Sequence, residues 1–196
     1  MPRDEIVFDL ETQRAFSDLA DRNNFGGLGV SVLGCYSYGT GEFRIFAEDE
    51  LDAFEDMLSR ARRVIGYNIR HFDYPVLQPY MKSVVLKNLP TLDLMLDPAG
   101  HLGFRPKLDD LAKATLGVQK SGHGLEAIRW FREGKLDELK RYCLDDVKLT
   151  KELYDHGVRE GHILIEPRYG SELRKIPVTW QKLPEAAVNY QSQLFS

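Results

Sequence analysis

Cysteine is scarce in this chain. Cys35 and Cys143 are the only two in 196 residues, and they stand far apart. With no Cys-x-x-Cys pair, neither a zinc knuckle nor a disulfide framework is indicated, and two free thiols in a reducing compartment are expected. A basic surplus is missing too: Lys and Arg number 26 against 30 Asp and Glu, a formal net charge of −4. That balance argues against a surface-wide polyanion binder, although net charge governs solubility and steering rather than the chemistry of one site. No apolar stretch nears the roughly 20 residues of a membrane span. The opening MPRDEIVFDLET puts charges where a secretory leader needs an apolar run, so a cytoplasmic protein with no membrane contact is expected. Internal repeats and low-complexity runs are also lacking. What is present is an ordinary globular composition, 43% hydrophobic, enough to build a core in one domain of this length.

Residues 5–11 (EIVFDLE) are apolar on both faces and predict a central strand. A polar, glycine-rich stretch over 13–27 predicts an exposed loop. Strands are expected near 28–37 and 42–47, with Tyr38-Gly39-Thr40-Gly41 turning between them as a hairpin. Leu51, Phe54 and Leu58 form the stripe of an amphipathic helix over 49–61. A short strand over 63–67 precedes a helix with Pro75 in its first turn, which Pro79 should end. Helical patterns return at 107–116, 124–133 and 136–160, and the tail from about 162 reads as strand again. The order predicts an α/β fold, a mixed sheet flanked by helices.

Three elements carry carboxylates in costly places. Successive side chains of a strand alternate faces, so Asp9 and Glu11 point the same way from an otherwise apolar strand. Like charges on one buried face repel and lose hydration, which a divalent cation relieves. A lone Asp-x-Glu is common and is more often a strand end reaching into solvent. In the last helix, Leu139, Cys143, Asp146, Thr150 and Leu153 share a face by steps of four and three. Asp146 interrupts that apolar face, whereas Asp145, about 100° away, groups with Arg141, Lys148 and Glu152 on a solvated one. Tyr142 lies one turn before Asp146. The third element is Asn68-Ile69-Arg70-His71-Phe72-Asp73, where Asp73 would serve alone as a helix-capping acid. Together the four acids offer the hard oxygen ligands that magnesium and manganese prefer.

In order and spacing these residues resemble the DEDD exonucleases, a branch of the ribonuclease-H-like superfamily. The first motif of that family, Asp-x-Glu, stands here as Asp9-Leu10-Glu11 within Phe8–Thr12; the second, Asn-x(3)-Phe-Asp, as Asn68 to Asp73; the third, Tyr-x(3)-Asp, as Tyr142 to Asp146. Position 141 is arginine, so the histidine variant of the third motif is absent and the tyrosine (DEDDy) subgroup is the one resembled. Each motif is weak alone; the three in order are specific, and they span residues 8 to 146.

The resemblance implies a 3′–5′ exonuclease over residues 1–160, with 161–196 a strand-like extension packed on it or used as a contact element. It implies two divalent cations, Mg²⁺ or Mn²⁺, held by Asp9, Glu11, Asp73 and Asp146, with Asp9 shared between them. The reaction implied is hydrolysis at the 3′ end of a single-stranded nucleic acid, DNA favoured over RNA, releasing nucleoside 5′-monophosphates. Tyr142 joins the catalytic set by orienting water, since a phenol with a pKa near ~10 is a poor base at neutral pH. Leu10, Thr12, Asn68 and Phe72 are the implied nucleic-acid contacts, Phe72 by stacking on or wedging a terminal base, with a core aromatic as its equal alternative. Arg70, Arg105, Lys107, Lys120, Arg129 and Arg132 are candidate phosphate contacts, and Asp93 is read as a helix cap or a residue behind the ligands. A polymerase, helicase or other repair protein is the candidate partner. The alternative is a catalytically inert nucleic-acid-binding or scaffolding module of the same fold.

Overall fold

The computed structural model describes residues 4–118, 124–166 and 172–183. The apolar opening strand, β1 (Asp4–Thr12), is the middle of a five-stranded sheet. On one side it pairs antiparallel with β2 (Val30–Ser37), which turns back into the edge strand β3 (Glu42–Phe46). On the other it pairs parallel with β4 (Ala61–Gly66), and β4 pairs parallel with the short edge strand β5 (Thr91–Asp93). The expected α/β architecture with a mixed sheet is the one observed.

Alternation along β1 divides the core in two. Ile6, Phe8 and Leu10 pack against Phe54 and Leu58 of α1 (Leu51–Arg60) and Val76 and Leu77 of α2 (Asp73–Leu77). Val7 faces the opposite way, towards Leu111 of α4 (Leu108–Leu116) and Val147 and Leu153 of α6 (Leu136–Glu160). Asp9 and Glu11 share the phase of Val7, so they point to the α6 side. The expected helix face is real: Leu139, Cys143, Asp146, Thr150 and Leu153 are all buried, while Asp145 is exposed. Both cysteines are free and buried.

Several elements depart from expectation. The second strand begins at Val30, because Gly29 takes φ 68° and breaks the extended chain before it. The stretch 13–27 is not a plain exposed loop; it contains two 3-10 turns, Phe16–Asp18 and Phe25–Leu28, whose phenylalanines are half-buried. Neither β5 nor α3 (Leu96–Leu102) was anticipated. Three residues are too few for a period to register. Pro75 lies in α2, and Pro79 falls in the 3-10 turn that follows, as its missing donor predicts. Between α4 and α6 runs α5 (Gly124–Arg132).

After α6 the chain forms a hairpin, β6 (His162–Ile165) with β7 (Arg174–Pro177). Ile163, Ile165, Ile176, Val178 and Trp180 join the α6-side core. Thr115 ties β6 to α4, accepting the Leu164 N–H at 2.9 Å and donating to its carbonyl at 3.2 Å. Trp180 lies so close to Gly157 that a Cβ there would come within 2.3 Å of the indole. Residues 167–171 and 184–196 of the expected extension lie outside the described residues. Among the described residues no helix is long and apolar enough to cross a membrane.

One buried acid belongs to the scaffold. Glu55 of α1 accepts backbone N–H groups from Lys82 (3.0 Å), Ser83 (2.7 Å) and Val84 (2.7 Å). Burial alone would raise its pKa; the hydrogen bonds outweigh burial and hold it down to about 2, against an ordinary 4.5. Its contribution to stability is therefore present above about pH 4.5 and lost as the pH falls towards 2. Glu55→Ala is expected to destabilise the fold at pH 7 by about 1.5–3 kcal/mol, the scale of hydrogen bonds to a charged group. Denaturant melts at pH 7 and pH 3 check this: the penalty should shrink in acid, and an equal penalty at both would contradict the assignment.

Candidate metal centre and nucleic-acid cleft

The site forms where β1 ends against the first half of α6. Asp9 stands opposite Gly34 of β2 and Glu11 opposite Val32, and the register slips by a bulge between Glu11 and Thr12. From the helix, Asp146 points at the same place. One carboxylate oxygen from each of Asp9, Glu11 and Asp146 lies within 4.8 Å of the others, and Glu11 and Asp146 are buried. Tyr142, one helical turn earlier, is buried beside them with its ring edge-on to Trp130 of α5 (centroids 5.7 Å apart).

The fourth acid arrives by a built turn. Gly66 ends β4 where a Cβ would come within 2.3 Å of Ile69, so only glycine lets the chain fold back this tightly. Asn68 then takes φ 63°, a conformation asparagine tolerates better than most residues. Asp93, buried at the end of β5, holds the turn by accepting the N–H groups of Asn68 (2.7 Å) and Arg70 (3.1 Å). It also accepts the Met95 N–H (3.2 Å), so of the two expected roles, helix cap and residue behind the ligands, the turn contacts add the second to the first. The turn delivers Asp73 to the head of α2, buried, with its Oδ1 lacking a hydrogen-bond partner among the described residues. Burial first, and the nearby Asp93 charge, push Asp73 up to about 8, against the pull of its own and the Leu10 backbone N–H groups.

A cavity of about 830 Å³ opens over this centre. Its walls include every residue that the motifs single out: Asp9, Leu10, Glu11, Thr12, Asn68, Phe72, Asp73, Tyr142 and Asp146. Asp73 lines it without joining the tight cluster of three. Phe72 meets Phe16 and Phe25 edge-on (centroids 6.1 Å apart in both cases), forming an aromatic patch at the wall. Of the candidate phosphate contacts, Arg105 and Lys107 line the cavity. Arg70 does not; its guanidinium donates to the Thr91 carbonyl (3.1 Å). Neither does Arg129, which pairs with Glu126 and Glu133, nor Arg132, which pairs with Asp18. Lys120 lies outside the described residues.

Three wall residues carry no signal in the motifs. Arg14 follows Thr12 by two positions; the Thr12 hydroxyl donates to its carbonyl (2.9 Å), and its guanidinium donates to the Gly27 carbonyl (3.0 Å). Asp109, in the first turn of α4, adds a fifth carboxylate. Tyr67 donates its hydroxyl to the Pro106 carbonyl (2.7 Å); burial, then the charges of Asp93, Asp110 and Asp109, drive its phenol well above the usual range. Arg14 and Tyr67 adjoin the first and second motifs in sequence, and only the fold brings Asp109 to the acids.

The donor set fits a divalent cation. It is all carboxylate oxygen, hard and negatively charged. It packs like charges that a divalent counter-charge would relieve, and it includes a buried oxygen on Asp73 that no donor among the described residues meets.

A family model described as the RNase_H superfamily matches residues 6–158, so the chain belongs to the ribonuclease H superfamily. No curated protein sequence matches it. Among solved structures it is similar to the family B DNA polymerase from the hyperthermophilic archaeon Pyrobaculum calidifontis, with a TM-score of 0.60 and 20% identity over 80% of this chain. The match spans 25% of that polymerase chain, and at this identity the likeness is one of fold.

The raised Asp73 value has a signed consequence. A group whose folded pKa lies above its ordinary 3.8 stabilises the metal-free fold below about pH 4 and loses that contribution as the pH rises through about 8. In EDTA, Asp73→Asn should gain on the unaltered chain as the pH rises, melting above it by more at pH 8.5 than at pH 5. A variant melting lower at both pH values would show that Asp73 is not a strained, buried charge.

Proposed function

We propose that the chain is a metal-dependent 3′–5′ exonuclease that trims single-stranded nucleic acid to nucleoside 5′-monophosphates. The observation that carries this reading is the convergence of Asp9, Glu11, Asp146, Asp73 and Tyr142 on one cavity, from three separate elements of a ribonuclease H superfamily fold. Asp9, Glu11 and Asp146 would hold one divalent cation, Mg²⁺ or Mn²⁺, and Asp73 with Asp9 a second. Bound there, such ions supply charge stabilisation at the reacting phosphate and an acidified water.

The remaining roles fall to the chain's own groups. Tyr142 orients the attacking water through its hydroxyl, since a phenol with a pKa near ~10 keeps its proton at neutral pH. Backbone groups of Leu10, Glu11 and Thr12 meet the terminal sugar at the bulged end of β1, where the ladder with β2 is interrupted. Phe72 offers a stacking face to the last base, backed by Phe16 and Phe25, and Asn68 borders it. Arg14, Arg105 and Lys107 are the cavity's cations for backbone phosphates. We read residues 1–160 as the catalytic domain and 161–196 as an extension packed on it. Likeness to part of a DNA polymerase favours DNA over RNA, and a polymerase, helicase or other repair protein as partner.

The test is a labelled-oligonucleotide digest: single-stranded DNA and RNA of one sequence, 5′-labelled, with Mg²⁺, Mn²⁺ or EDTA. A ladder shortening from the 3′ end, present with either metal and absent in EDTA, is expected. Intact oligonucleotide that still shifts in mobility would instead identify an inert binding module. Asp9→Asn and Asp146→Asn should each lower the rate at least about a hundredfold, the scale of losing one electrostatic contact at the reacting group. Asp145→Asn, on the solvated face, should stay within about twofold. Equal losses at 145 and 146 would sink the assignment of helix faces.

A further inference from the structure

Gly34 lies in the middle of β2, outside all three motifs, in ordinary extended backbone. Glycine inside a central strand weakens it, so its presence there asks for a close approach by something else. The approach is visible. A Cβ on Gly34 would meet Cys143 Sγ at 3.1 Å, Val147 Cγ2 at 3.1 Å and Leu144 Cδ2 at 3.3 Å. All three contacts are tighter than the roughly 3.5–4.0 Å optimum for carbon neighbours. The three residues bracket Asp146 on α6, and Gly34 is the strand partner of Asp9. The Cys143 thiol also reaches the Asp9 carbonyl, at 3.6 Å. The bare Cα of Gly34 is thus what lets α6 settle onto the sheet beside the two acids of β1.

We propose that Gly34 is a positioning residue for the metal centre: its missing side chain sets how near Asp146 comes to Asp9 and Glu11. The proposal rests on the metal reading above. A close-packed interior does not absorb a methyl group locally but passes the displacement on. A methyl at position 34 therefore pushes Cys143, Val147 and Leu144 back by a few tenths of an ångström and shifts Asp146, which they bracket, away from Asp9 and Glu11, without touching any ligand.

The test uses Mn²⁺ alone as the probe, titrated into the full chain by calorimetry and by the loss of its free-ion paramagnetic signal, alongside thermal melts. Gly34→Ala is expected to weaken Mn²⁺ binding about tenfold or more, the scale seen when residues behind metal ligands are changed. Adding Cys143→Ala and Val147→Ala to Gly34→Ala removes the two closest contacts and should restore affinity to within about threefold. That triple variant should nevertheless melt lower than Gly34→Ala, because it has lost packed side chains. A purely structural role would make affinity follow melting temperature; here the two separate. Val147→Ile crowds the same contact from the helix side and should weaken binding in the same direction, which keeps the idea testable should Gly34→Ala not fold. Unchanged Mn²⁺ affinity in Gly34→Ala and Val147→Ile, or affinity that tracks stability across all variants, would overturn the proposal. An unaltered chain that binds no Mn²⁺ would overturn the metal reading, and this inference with it.

Discussion

Mutual repulsion among buried carboxylates is the constraint around which the rest of this fold is arranged. Two unit charges about 4.8 Å apart repel by roughly 3 kcal/mol at an effective dielectric near 20, and oxygens of Asp9, Glu11 and Asp146 lie within that distance of one another. A chain keeps such a cluster only if its backbone allows the acids nowhere else. The central strand supplies that rigidity. β1 is paired on both edges up to Val7, stays paired with β2 through Asp9 and Glu11, and is packed on both faces, which fixes the direction in which the two acids leave the sheet. The long α6 does the same for Asp146, anchored along its length by apolar residues of the same face.

Asp73 is held differently. Its element, α2, is only one and a half turns long and could not fix a charge by itself. Asp93 compensates by gathering backbone N–H groups from the turn before α2 and from the chain after β5, welding the two together. One buried acid is thus spent on orienting another. The same logic recurs at Glu55, whose carboxylate gathers the backbone of residues 82–84. In both cases a negative charge is satisfied by main-chain donors, which fixes loops that lack regular structure of their own.

Much of this was legible in the sequence. The strand–hairpin–helix–strand order, the stripe Leu51-Phe54-Leu58 and the contrast between Asp145 and Asp146 all follow from periodicity, and all are observed. The motif acids converge as their spacing suggests. What escaped has physical reasons. β5 is too short to show alternation, so the fifth strand stayed hidden, although Asp93 at its end reads in the sequence as a cap or a residue behind the ligands. Asp109 reaches the cavity through tertiary placement alone, whereas Tyr67 and Arg14 adjoin the motifs in sequence but lie outside their patterns. Conversely, Arg129 and Arg132 read as candidate phosphate contacts in the sequence, yet each is engaged by nearby acids.

β1 carries a second polar assembly at its opposite end. There Arg63 joins Glu5, the Tyr154 hydroxyl and the Gln181 carbonyl, binding the segment after the hairpin to the sheet. Glu5 and Glu11 are six positions apart, about 20 Å at the rise of a strand. At that distance, with no shared partners, changes at the two ends should combine additively rather than compound. The strand therefore has a durable end and a reactive end. Stability can be raised or eroded at the Glu5–Arg63 end while selection on chemistry proceeds at the other; the closing hairpin is less free to drift, because its apolar residues pack on α6, the helix that carries Asp146.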